Sequence, residues 1–330
     1  MKRLVIACAM VLPLVALTAG PAQADVKTRE KAQVKFEGML GRMIGMFGGK
    51  AAKEGIESTT AVKGNRKSTT SDVTGHIVDL SEEKIYDLDT KKKTYEVTTF
   101  EEMRRRMAEA RAKAEKDAQK EQGKEQKEEK PSQPQKEYEV DFDVKETGQK
   151  KPLAGYDTRE VVMTITVREK GKTLEDGGGV VMTADSWLAP TIAAMKELTD
   201  FEVRYWKQLQ PDAPGMSAEQ MAAVMAMYPM VKSAMERLQK EGGKLSGTPL
   251  ATTTTFESVK SKEQMSTQSE SSGGGGGGLS GMLARKMMKK DAGDAKARST
   301  VFTMNHEVLE VSTSVAASDL AIPPDYKEKK

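Results

Sequence analysis

Few residues in this chain have a claim to chemistry. His76 and His306 are the only imidazoles among 330 residues, and each stands inside a Thr- and Val-rich stretch that reads as a strand. A lone strand histidine is a packing or surface residue more often than a base, and a zinc centre would need a further ligand that no His-x-x-x-His or Cys-x-x-Cys spacing supplies. Asp87-x-Asp89 and Asp141-x-Asp143 begin like calcium loops, but Lys91 and Lys145 occupy the next ligand position and no glycine or distal glutamate follows in register. Gly171-Lys172-Thr173 ends like a phosphate-binding loop, yet Thr166 sits where the first glycine belongs, and the segment reads as a turn between strands. Gly278-Leu279-Ser280-Gly281 lacks the second glycine of a nucleophile elbow, because Met282 takes its place. Paired carboxylates at glycosidic separation stay open, since distance in space is not written in residue order. No cofactor or metal fingerprint emerges, and the chain reads as a non-enzyme.

The start of the chain carries an address. Lys2 and Arg3 precede the apolar run Leu4 to Gly20, and Pro21-Ala22-Gln23-Ala24 gives the small-x-small pattern that a signal peptidase cuts. The expectation is a signal peptide over 1–24, cleavage after Ala24, and export to the periplasm or outer envelope. Val5-Ile6-Ala7-Cys8 resembles a lipoprotein cleavage box, but Leu4 alone separates it from the charges, which leaves no apolar region before such a cut. Cutting after Ala24 also removes Cys8, the single cysteine, and with it disulfides, thiolate metal sites and cysteine nucleophiles. Of 52 basic residues against 49 acidic, only Lys2 and Arg3 leave with that segment. A balance so close, with the signs interspersed, argues against nucleic acid as a partner.

What stands out instead is apolar. Met39-Leu40-Gly41-Arg42-Met43-Ile44-Gly45-Met46-Phe47 is hydrophobic yet glycine-rich, and Met282-Leu283-Ala284-Arg285-Lys286-Met287 echoes it, in a chain holding 21 methionines. Methionine-rich surfaces adapt to irregular apolar partners, and adjacent basic residues suit anionic headgroups. Met39, Leu40, Met43, Phe47, Met282, Leu283 and Met287 are therefore the candidates for a peripheral membrane contact. The competing reading is that the first segment packs over the domain's own core and the second is a short amphipathic helix in a linker.

The elements that must position such surfaces are mostly strands. Lys84 to Thr99 reads as a hairpin with Tyr86 and Leu88 on one face and Tyr95 and Val97 on the face of its partner. The clearest alternation is Tyr138, Val140, Phe142 and Val144 against Glu139, Asp141, Asp143 and Lys145, and Val161, Met163, Ile165 and Val167 repeat it beyond a turn at Leu153 to Asp157. Val180 to Ser186, Ala251 to Val259 and Ser299 to Val315 extend the strand series. Pro190 precedes a helix carrying Ile192, Met195, Leu198, Phe201, Tyr205 and Trp206. Ser217 with Gln220 forms a capping box for a second helix carrying Met221, Met225 and Tyr228, with Pro229 as its kink. Glu101 to Lys130 is almost wholly Glu, Lys, Arg, Gln and Ala, helical from Phe100 to Ala114 and then fading into linker. Ser261 to Arg298, with its glycine run Gly273 to Gly278, is a second low-complexity insertion. The expectation is one β-rich domain over 25–330, with insertions at 101–136 and 261–298.

Lys84-Ile85-Tyr86-Asp87-Leu88-Asp89 with Lys93-Thr94-Tyr95-Glu96-Val97, then Leu153-Ala154-Gly155-Tyr156-Asp157-Thr158, and the closing Ala321-Ile322-Pro323-Pro324-Asp325-Tyr326 together resemble exported bacterial proteins of the domain-of-unknown-function family 4412. That family is similar to the periplasmic lipoprotein carriers. The resemblance implies an α+β fold, a curved antiparallel β-sheet or half-barrel with two principal helices covering one face. On that fold Val140, Phe142, Met163 and Ile165 would line the inner face, and Trp206, Met221, Met225 and Tyr228 would close over it. The function it implies is binding of a lipid acyl chain or other hydrophobic partner. The alternative is an interaction or scaffold protein with a filled core, acting through its insertions.

Overall fold

A computed structural model describes residues 25–38, 41, 54–125, 137–210, 240–270 and 297–329. Among these, the strands are β1 (Val26–Phe36), β2 (Ile56–Lys63), β3 (Arg66–Ser71), β4 (Thr74–Asp79), β5 (Lys84–Asp89), β6 (Thr94–Thr99), β7 (Tyr138–Leu153), β8 (Tyr156–Glu169), β9 (Gly179–Ala189), β10 (Thr248–Val259), β11 (Arg298–Ser312) and β12 (Lys327–Glu328). They form one open sheet in the order β12-β6-β5-β4-β3-β2-β1-β11-β10-β9-β8-β7. Each neighbouring pair is antiparallel except β12 with β6. Two meanders, β1 to β6 and β7 to β11, meet where β11 pairs with β1. The connection from β6 to β7 therefore joins opposite ends of the sheet.

Four helices accompany it among the described residues: α1 (Phe100–Glu125), α2 (Leu174–Gly177), α3 (Ala193–Leu209) and α4 (Lys262–Glu270). The first turn of α1 is capped by the Thr99 hydroxyl, which accepts from the Glu102 amide at 3.1 Å. Phe100, Met103 and Met107 of α1 meet Phe201, Leu209, Leu198 and Tyr205 of α3 over Val26, Val62, Val78 and Ile85 of the sheet. Those sheet residues share one face. Val26 pairs with Val62, Val62 with Lys67, Lys67 with Val78, and Val78 with Ile85. Lys67 lies in that row without breaking it, because Glu202 of α3 takes its ammonium. Ile192, just before α3, anchors the other end of the helix against Leu250 and Val308.

The opposite face of β2 to β6 is covered by the chain's own tail. Ile77, Tyr86 and Leu88 pack with Tyr95, Val97, Ile322 and Tyr326, and Ala61 packs with Val315 and Leu320. The expected hairpin is present in that register, Tyr86 opposite Val97 and Leu88 opposite Tyr95.

The antiparallel sheet expected from the alternation is observed, and the molecule is mostly sheet. Of the two expected helices, the one after Pro190 is α3; the one opening at Ser217 lies outside the described residues. Several expectations change. Helix α1 continues through Glu125, beyond Ala114, on helix-favouring Ala, Glu, Lys, Arg and Gln supported by pairs such as Arg106 with Glu102 at 2.5 Å. Within the stretch read as the second insertion, Lys262–Glu270 is helical. Gly171-Lys172-Thr173 is not merely a turn: Thr173 caps the single helical turn of α2, its hydroxyl accepting from the Asp176 amide.

Candidate functional site

One strand links the helix-covered core to a second apolar surface. Even-numbered residues of β1 share a face, so Val26 at its start lies under α3 while Phe36 at its end lies about 33 Å along the strand on the same face. From Phe36 an apolar row runs across the sheet in unbroken register. Phe36 is the direct partner of Phe302, Phe302 of Phe256, Phe256 of Met182, Met182 of Ile165, and Ile165 of Phe142. Direct partners point to the same face, so these side chains form a ladder across β1, β11, β10, β9, β8 and β7. With strands ~4.8 Å apart, it spans roughly 24 Å. The rings touch: Phe36 and Phe302 have centroids 6.0 Å apart, and Phe256 and Phe302 stack at 5.3 Å.

The next row along the strands is also apolar where it meets β1 and β11. Val34 pairs with Met304, and the two are 39% and 42% exposed. Ile56, opposite Ala32 on the same face, is 48% exposed. At the β7 end of that row Val144 pairs with Met163, and Leu245 packs there with Phe142 and Met163 around Val144, Val161 and Leu188.

Between the helix-covered core and the ladder the face turns polar. His306 Nε2 lies 3.0 Å from Glu30 Oε2, and the Thr28 hydroxyl donates to Glu30 Oε1 at 2.7 Å. The hydrogen bond from His306, opposed in part by burial, holds the Glu30 carboxyl below its ordinary value, and the same bond holds the His306 imidazole above its own. The other histidine, His76, bonds Asp87 through Nδ1 at 2.7 Å, with both side chains largely in solvent. The two histidines thus serve separate carboxylates. Among the described residues no group of three or more His, Cys, Asp or Glu could hold a metal ion, and no helix is long and apolar enough to cross a membrane.

Val140, Phe142, Met163 and Ile165 are brought together as a block: Phe142 faces Ile165, Met163 faces Val144, and Val140 faces Val167 beside them. Trp206 does not join it. It is 51% exposed on α3, with its ring 5.3 Å from Tyr205, which packs against the Phe100 cluster over β4 and β5. Met221, Met225 and Tyr228 lie outside the described residues, as do Met39, Leu40, Met43, Phe47, Met282, Leu283, Met287 and the segment 1–24. Comparison of the chain with protein-family models, with curated proteins and with solved structures found no match.

The residues that sequence reading missed are Met182, Phe256, Phe302 and Phe36. Phe256 and Phe302 are isolated aromatics in otherwise Thr-rich strands, and only pairing register shows that they are neighbours. Glu160 and Asp185 are diagonal neighbours on one face of β8 and β9, and burial together with the charge of Glu160 raises the Asp185 carboxyl above its ordinary value.

Proposed function

We propose that this chain is a non-enzymatic exported envelope protein that holds a lipid acyl chain or another hydrophobic partner on the helix-side face of its sheet. The observation that carries the proposal is the in-register row Phe36, Phe302, Phe256, Met182, Ile165 and Phe142, flanked by solvent-exposed Val34, Met304 and Ile56. Soluble proteins seldom leave contiguous apolar surface in water without a use for it. The row's span of roughly 24 Å suits a long extended chain lying across the strands, and each methylene removed from water contributes about 0.8 kcal/mol. In this reading the sheet curves around that face as in the periplasmic lipoprotein carriers, to which the family that the hairpin and tail motifs resemble is similar, and the side chains of the row grip by dispersion without polar specificity.

The test is thermal melting of the full-length protein with palmitate or a phospholipid, together with mass spectrometry of lipid carried from the native host. A ligand present at 100 times its Kd should add about 2.7 kcal/mol of stability. No shift with any lipid, and no lipid carried, would overturn the proposal.

A further inference from the structure

The hairpin end of β7 and β8 holds a groove of about 640 Å³ that the apolar row does not reach. Its wall includes Lys150, Arg159 and Asp157. Lys150 and Arg159 are direct cross-strand partners, so two cations point to the same side of the sheet. Like charges in that relation are destabilising unless something neutralises them. Arg159 is partly committed: it donates to Glu146 at 3.0 Å and to the carbonyls of Lys244 and Ser246 at 3.0 and 2.9 Å. Lys151, the partner of Thr158, turns to the other face, where it rests over the Trp187 ring, 3.8 Å from its centroid. Lys150 is exposed and has no carboxylate partner among the described residues. The groove's remaining wall includes Leu188 and Thr191.

The geometry points to this groove as a binding site for a phosphate group, with Lys150 as its principal cation and Arg159 beside it on the same face. Glu146 answers the charge of Arg159 and leaves that of Lys150 unmatched, and a phosphate offers several strong acceptor oxygens and the charge to match it. Arg159 lies on the same face of β8 as Ile165, six residues or roughly 20 Å along the strand. That face is shared with the proposed apolar site, so the phosphate belongs either to the head of an amphiphile or to a free anion. The inference deepens the hydrophobic-carrier reading by giving its ligand an anionic head, but the groove's charge argument does not depend on that reading.

The experiment is calorimetric titration of the full-length protein with inorganic phosphate and, separately, with a single-chain lysophosphatidic acid below its micelle concentration. The comparison proteins are Lys150→Glu and the milder Lys150→Gln. Because Lys150 is exposed, the Gln variant should melt like the wild type and so separate binding from folding. The expected result is saturable phosphate binding that weakens with salt, at least tenfold weaker in Lys150→Glu and weaker also in Lys150→Gln. A lysophosphatidic acid that binds tenfold or more tighter than phosphate identifies the headgroup as the source; equal affinities identify free phosphate. Absence of saturable phosphate binding, or affinities unchanged in both variants, overturns the site. A neutral long-chain alcohol serves as the separating control. If it binds equally to wild type and Lys150→Glu while phosphate binds to neither, the groove proposal fails and the apolar carrier reading stands.

Discussion

Phe256 and Phe302 stack across β10 and β11 with ring centroids 5.3 Å apart and an interplanar angle of 7°. Phe302 also meets Phe36 on its other side, so it is the central ring of the apolar row. Replacing it with Ala should weaken palmitate binding by tenfold or more. The ring is only partly buried, so the cost in stability should be about 1 to 2 kcal/mol, below the 3 to 5 kcal/mol typical of a fully buried Phe. Phe201→Ala supplies the contrast: Phe201 is completely buried under α3 and should cost about 3 to 5 kcal/mol in urea unfolding. If Phe302→Ala leaves binding intact, the row is ordinary surface.

The His306–Glu30 pair makes stability depend on pH from both sides. His306 titrates above its ordinary 6.5 when folded, so its contribution is full below 6.5 and is lost as pH rises through the folded value. Glu30 titrates below its ordinary 4.5, so its contribution is full above 4.5 and is lost as pH falls through its folded value. The pair should therefore stabilise most between pH 4.5 and 6.5. In the His306→Gln variant the decline on the alkaline side should flatten. A proton-resonance titration of His306 with a midpoint at or below 6.5 would contradict the assignment.

Strand content was legible because alternation such as Tyr138, Val140, Phe142 and Val144 records a half-buried pleat directly. That Val140, Phe142, Met163 and Ile165 share one face of β7 and β8 was legible for the same reason, since hairpin partners sit close in sequence. The row across β9, β10, β11 and β1 was not, because Phe36 and Phe302 are 266 positions apart and their pairing follows from how two meanders meet. Trp206 was misplaced by a different route. Helical spacing groups it with Tyr205 and Phe201, but α3 buries Phe201 and Leu209 and turns Trp206 outward. A periodic pattern shows which residues share a face, not which part of the sheet that face will meet.

The C-terminal tail should be a structural element in its own right. Leu320 is nearly buried beside Ala61 and Val315, and the Arg66 side chain donates to its carbonyl at 2.9 Å. Leu320→Ala should cost about 2 to 4 kcal/mol despite lying close to the last residue. Removing everything after Ala316 would also uncover Tyr86 and Leu88, so the truncated chain should lose more stability than the point variant. Equal unfolding midpoints for the truncated and full chains would show that the tail merely rests on the sheet.

The last prediction concerns Asp185, whose Oδ1 is buried without a hydrogen-bond partner. Burial, and then the charge of Glu160 beside it, push its carboxyl above the ordinary 3.8, against a smaller opposing pull from Lys151. Glu160 is itself nearly buried and accepts from the Thr147 hydroxyl at 2.5 Å, so it is fixed in place and does not swing away. A folded-state pKa raised in this way means that the stability present below pH 3.8 is lost as pH rises through the folded value. Charging Asp185 beside Glu160 is unfavourable, and its lone oxygen gains no donor in return. Asp185→Asn keeps the shape, removes the charge and offers Glu160 an amide donor. The variant should therefore unfold at a higher urea concentration than the wild type at pH 7, and the difference should disappear on acidification below 3.8. A wild type more stable than Asp185→Asn at pH 7 would mean that the Asp185 charge is favourably held in the folded chain, contrary to its buried, unpartnered oxygen.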